Sequence, residues 1–116
     1  MEELIEEYPL VVYPCSIWVA VNCSDAFLMQ LFNEPFPTMG DLAGQVLLKT
    51  GGAIIRFRNK DCMADRIMLH EANHAAFTIF EYLGCNVDYN NQEPFCFLAD
   101  CIYDFCDQFR TKIKIQ

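Results

Sequence analysis

An α+β fold is expected from three observations on the chain. Two stretches, Pro9 to Asn22 and Gln45 to Arg58, are rich in Val, Ile, Leu and aromatic residues with strand-like patterning. Between Asp61 and Gly84, and again from Asn90 or Asn91 to Gln108 or Arg110, apolar residues recur at helical spacing. A small, mostly antiparallel sheet with a hairpin is therefore expected to pack on a central helix, with a second helix after it. The chain of 116 residues fits a single domain spanning 1–116, large enough to bury a core, and shows no internal repeat or linker.

The elements follow in order. Residues 1–7 carry four glutamates and read as a short helical lead or a frayed end. Pro14 interrupts the first β-rich stretch, which becomes one kinked strand or two short ones, with Trp18 as a core anchor. Ser24 or Asp25 caps a short helix that ends by Phe32, before Asn33-Glu34-Pro35-Phe36-Pro37. A loop from Thr38 to Gly44 leads to strand-like runs at Gln45–Lys49 and Ala53–Arg58, joined by Thr50-Gly51-Gly52 as a hairpin. Asp61 is a candidate N-cap for the next helix and Gly84 its terminator. Cys85 to Asn90 forms a loop, and Pro94 suits the first turn of the last helix, where a missing N–H leaves no gap. Phe95, Leu98, Ile102, Phe105 and Phe109 make that helix's apolar stripe. The alternating Thr111-Lys112-Ile113-Lys114-Ile115-Gln116 reads as an edge strand or a loose tail.

Charge and cysteine content narrow the function classes. A net charge of -8 argues against a nucleic-acid partner, which needs a basic surface. No apolar run is long enough to cross a bilayer, and the acidic Met1-Glu2-Glu3 start is unlike a secretory signal. The seven cysteines form an odd set with no C-x-x-C pair, which fits buried free thiols in a reducing, cytoplasmic compartment.

The stretch Leu69-His70-Glu71-Ala72-Asn73-His74-Ala75 holds the only two histidines in the chain. At helical pitch, His70 and His74 stand one turn apart on the same face and can reach one ion, with Glu71 beside them as a base. Leu69, Ala72, Ala76, Ile79 and Leu83 make one apolar stripe of this helix, and Ile67, His70, Glu71, His74, Phe77 and Thr78 line another side. Such a helix is expected to be central, where unpartnered histidines and a glutamate would be costly. Glu93 follows His74 after eighteen residues, a spacing that lets a second helix return a carboxylate to the histidines.

These four residues, His70, Glu71, His74 and Glu93 in an HExxH-x18-E arrangement, resemble the gluzincin class of zinc metallopeptidases. The resemblance implies a zincin-like fold, Zn2+ as cofactor, His70, His74 and Glu93 as its ligands, and Glu71 as general base. It extends more loosely to the order of hairpin, active-site helix, loop and ligand helix from about residue 45 to 108. Thermolysin-like members carry an acidic residue four positions after the ligand glutamate, where this chain has Phe97. Asp100 or Asp88 is the candidate to orient a histidine instead, and Tyr82, Tyr89 or Tyr103 the candidate to polarise a carbonyl, in the absence of a third histidine.

The expected chemistry is hydrolysis of a peptide or protein substrate by a zinc-activated water, with Glu71 moving the proton. Ile54, Ile55, Arg56 and Phe57 are the candidate edge strand for an extended substrate, or an ordinary sheet strand. A second reading is a non-catalytic zincin-like interaction protein, a component of a larger assembly. The compactness is similar to that of short bacteriophage and mobile-element proteins, and a viral source would make the chain virion-associated.

Overall fold

The computed structural model describes residues 2–115; the parts of the expected lead and tail that fall on Met1 and Gln116 lie outside the described residues. The chain runs β1 (Leu4–Pro9), β2 (Ser16–Val21), α1 (Asp25–Phe32), β3 (Gly44–Lys49), β4 (Gly52–Phe57), a 3-10 turn (Lys60–Cys62), α2 (Asp65–Leu83) and α3 (Glu93–Ile115). This is an α+β architecture built on one four-stranded sheet in the order β1-β2-β4-β3.

The sheet is mixed. Strands β1 and β2 pair antiparallel, as do β3 and β4, but β2 and β4 run parallel, with Ser16 opposite Gly52 and Val21 opposite Phe57. A parallel pair needs the chain to return to its starting end, and β3 makes that return: α1 and its flanking loops join the end of β2 to the start of β3, where Val21 and Gly44 both lie level with Phe57. Strand β4 is therefore interior, hydrogen-bonded on both sides. This corrects the expectation that Ile54, Ile55, Arg56 and Phe57 form a substrate edge: all four are buried, and the free edge beside them is β3.

Strand alternation sends Ile17, Val19, Val21, Ala53, Ile55 and Phe57 to one face, where α2 and α3 cover them. Ala20, Ile54, Leu28 and Phe36 form a smaller core on the other face, with Trp18 edge-on to Phe32 at 5.2 Å. Burying each large aliphatic side chain here is worth about 1.5–3 kcal/mol.

Two expectations fail at the ends of the chain. Residues 4–9 form a strand, not a helical lead, because tertiary partners accommodate the glutamates. Lys112 donates to Glu6 (2.6 Å), Ser16 donates to Glu7 (2.6 Å), and Tyr8 stacks on Phe105 with centroids 5.0 Å apart. Residues 111–115 continue α3, because Ile113 extends the buried row Leu98, Ile102, Cys106 and Phe109 at helical spacing. The alternation of basic and apolar residues imitated a strand over too short a window to decide.

All seven cysteines are free thiols; Cys15, Cys62 and Cys106 are buried, whereas Cys85 and Cys96 are exposed. Among the described residues, no helix is long and apolar enough to cross a membrane.

Among the described residues, Arg56 is the more deeply buried of two sheet cations, at 2% exposure against 8% for Lys49. It donates to Asp25 (2.7 Å), to the Cys23 carbonyl (3.1 Å) and to Gln45 Oε1 (3.0 Å), tying α1 and β3 to β4. Its Nε has no protein partner. Asp25→Asn leaves this charge uncompensated and is expected to destabilise the fold by about 3 kcal/mol, read as a lowered midpoint in urea unfolding.

Candidate functional site

Helix α2 is started from outside. Ala64 occupies its N-cap without a side-chain bond, while Asp61 belongs to the preceding 3-10 turn, which Asn59 caps. Asp61 is thus not the cap expected from the sequence. In its place, Arg110 of α3 pairs with Asp65 (2.7 Å) and donates to the Met63 carbonyl (2.9 Å). Asp65 also lies favourably at the positive end of the helix. At the other end, Gly84 terminates the helix in the left-handed conformation, φ 72°, as expected.

The buried face of α2 is Met68, Glu71, Ala72, Ala75, Ala76, Ile79 and Phe80. Leu69, placed in the core stripe by its spacing, is 54% exposed. His70 and His74 are exposed too. The helix is therefore half-buried, and the two histidines, expected within a core, stand at the surface. Water solvates them.

The pair is nevertheless ordered on one face. The two Nε2 atoms lie 3.1 Å apart, with the rings edge-on at 75° and centroids 4.7 Å apart. One imidazole donating to the other accounts for this distance. So does chelation: two nitrogens at 2.0–2.1 Å from one tetrahedral ion sit about 3.3 Å apart.

Glu71 is seated deeper in the protein than the histidines beside it and is only 7% exposed. Its carboxylate packs against the main chain of β3 at Gly44. A side-chain carbon added there would meet Glu71 Cγ and Oε2 at 2.7 Å, so a larger residue at this position would force the Glu71 side chain to shift. Burial raises the Glu71 pKa from the usual carboxylate value, and the neighbouring His70 and His74 pull it the other way. Behind it, burial and then the Glu71 charge push the Cys106 thiol up to about 12.

A cleft of about 350 Å³ runs between β3 and α2, lined by Leu42, Ala43, Gly44, Arg66, His70 and Glu71. It continues past His74 to Val46 and Thr78, where the Thr78 hydroxyl donates to the His74 carbonyl (2.9 Å). Arg66, His70, His74 and Thr78 are spaced by four and form one ridge along this cleft.

The remaining candidates are elsewhere. Glu93 is exposed at the start of α3. It is Phe95 that α3 lays against α2, on Phe77 (4.4 Å) and Phe80 (5.6 Å). Asp88 sits in the α2–α3 loop and accepts from the Asn90 N–H (2.9 Å), Asp100 faces solvent, and Tyr103 reaches Asp65 at 3.4 Å. Tyr82 and Tyr89 are exposed. None of these lines the cleft.

Among the described residues, no three of His, Cys, Asp and Glu stand together as a group able to hold a metal ion. Comparison with protein-family models, curated proteins and solved structures found no match. These two findings overturn the resemblance to the gluzincins: the spacing of Glu93 is present, but the three-ligand set is not assembled.

The sequence placed Thr78 on the histidine side of the helix without giving it a role, and left Gly44 and Arg66 out. Arg66 and Thr78 were accessible by counting fours from His70 and His74. Gly44 was not, because nothing local says that β3 crosses Glu71.

Two outcomes test this geometry. Gly44→Ala is expected to lower stability by about 1–3 kcal/mol, and in a Glu71→Ala background the penalty should fall to a few tenths, as a double-mutant cycle in urea would show. Arg110 holds the Asp65 carboxyl below its usual range. A depressed pKa means a contribution present above the unfolded value and lost as pH falls below about 4. The stability difference between the wild type and Asp65→Asn, measured by urea unfolding, should therefore shrink in acid.

Proposed function

We propose that this protein is a metal-dependent hydrolase acting on peptide bonds, with Glu71 as the base and His70 and His74 as donors to a divalent cation. The observation that carries the reading is the seating of Glu71: a buried carboxylate against the open strand β3, at the floor of a cleft whose rim holds two imidazoles 3.1 Å apart.

The donor set fits such an ion in part. Two imidazoles at chelating separation suit zinc by type and spacing; a third protein donor is not gathered with them. A cation so held would exchange readily. When bound, it would polarise a substrate carbonyl and lower the pKa of an attacking water.

The chain's own residues do the rest. Glu71 accepts the proton of the attacking water and passes it to the amine that leaves. Its raised pKa, a result of burial, brings it nearer to neutrality, where a base that must also release its proton works best. The unpaired main-chain edge of β3 offers hydrogen bonds to an extended substrate, which then lies across the histidines. Leu42, Ala43 and Val46 line the cleft along its length.

A second reading, a non-catalytic interaction protein within a larger assembly, draws support from the incomplete donor set. Zinc titration by calorimetry beside a peptide-library assay separates the two. The hydrolase reading expects one zinc per chain, removed by dialysis against chelator, lost in His70→Ala and His74→Ala, and retained in Glu93→Ala. Glu71→Gln should keep the ion and lose hydrolysis by about 10²–10⁴-fold. Failure of the wild type to take zinc would sink the hydrolase reading. Zinc uptake without hydrolysis would leave the interaction protein.

A further inference from the structure

A second concavity lies away from the histidine cleft. The loop between β1 and β2 stands beside α3 and encloses a groove of about 360 Å³, with Val11, Val12 and Tyr13 on one wall and Phe97, Cys101 and Phe105 on the other. Almost all of its lining is apolar. Val11 is 99% exposed, Val12 69% and Phe97 60%. Isolated exposed apolar residues are ordinary, but a contiguous set around a concavity marks a contact surface.

The loop is built to hold this shape. Leu10 N–H donates to the Cys15 carbonyl and Cys15 N–H to the Tyr13 carbonyl, both at 2.9 Å. Tyr13 packs edge-on against Phe80 of α2 at 6.1 Å. The two valines are thus displayed at the tip of a fixed loop, which reduces the ordering entropy that binding would otherwise require.

Charge restricts what can cover the groove. Residues 9–15 carry no charge, and residues 93–107 contain four acids and no Lys or Arg. Asp100 and Asp104 are exposed beside Cys101, one of the wall residues. Their field reaches the wall: after burial, Asp104 and Asp100 are what raise the Cys101 thiol's pKa. A second copy docked here face to face would oppose acid to acid, and an anionic membrane surface would be repelled. A cationic partner is attracted.

Size sets the form of that partner. From Phe97 to Phe105 the α3 wall spans nine residues, a rise of about 12 Å at 1.5 Å per step. Two turns of helix with apolar side chains at i, i+3 or i+4, and i+7 match this length. We propose that the groove between the β1–β2 loop and α3 is a docking site for a basic amphipathic helix of a partner protein, its apolar face on Val12 and Phe97 and its Lys or Arg residues against Asp100 and Asp104. The site is independent of the hydrolase reading and stands or falls without it.

The test uses the full chain and a labelled helical peptide of about 15 residues, long enough for a marginal helix, with Leu at i, i+3, i+4 and i+7 and Lys elsewhere. Two controls replace Lys by Glu, or scramble the order. Fluorescence anisotropy should show binding of the Lys peptide alone. Phe97→Ser and Val12→Ser, both exposed positions whose folding circular dichroism verifies, should each weaken it about tenfold. Asp100→Asn with Asp104→Asn should weaken it several-fold and flatten its salt dependence. Equal binding of the scrambled or Glu peptide, or affinity indifferent to Phe97→Ser, overturns the proposal. So does a dimer of the free chain in sedimentation that Phe97→Ser dissociates, or flotation of the chain with phosphatidylcholine vesicles that Val12→Ser abolishes.

Discussion

The burial of β4 on both edges and both faces is the constraint from which the other placements follow. All six of its residues are out of water, so each backbone group must find a partner inside the sheet, and β2 and β3 supply them. One face then demands the helix pair α2 and α3, and the other demands α1. Because β3 pairs only with β4, it becomes the rim of the sheet directly over the first half of α2. The cleft exists because a helix is held under an edge.

That arrangement explains why a glutamate can be buried next to two solvated histidines. Adjacent positions on a helix differ by 100°, so His70 and Glu71 face different surroundings although they are neighbours in sequence. The strand above contributes a residue without a side chain, and the carboxylate occupies the space so left. Glu71 and Gly44 therefore act as a pair across two elements.

Much of this was legible from residue order, and the rest has physical reasons for being hidden. The hairpin, the presence of the two long helices and the Gly84 stop are local events, governed by propensity and capping, and they were read correctly, as was Ser24 as one of two cap candidates; the start of α2 and the end of α3 were not. Strand order is not local. Ile54 to Phe57 look the same in sequence whether the strand is interior or at an edge, and only the parallel pairing with β2 decides it. The Glu-rich start was misread because Lys112 and Ser16, its partners, are distant along the chain. Glu93 shows the opposite error: its spacing from His74 suits a ligand, yet the aromatic contact of Phe95 with Phe77 and Phe80 sets where α3 meets α2.

The two free edges of the sheet are not equivalent. Strand β1 presents Glu6, Glu7 and Pro9, charges and a missing N–H that discourage another strand from adding there. Strand β3, reading Gly-Gln-Val-Leu-Leu-Lys, has a single charge at its last position and no proline. Self-pairing of chains, the first step of sheet-driven aggregation, is thus blocked at one rim and left open at the other. The unguarded rim is the one above the histidines, so a second copy paired there would compete with any other extended chain for the same backbone groups.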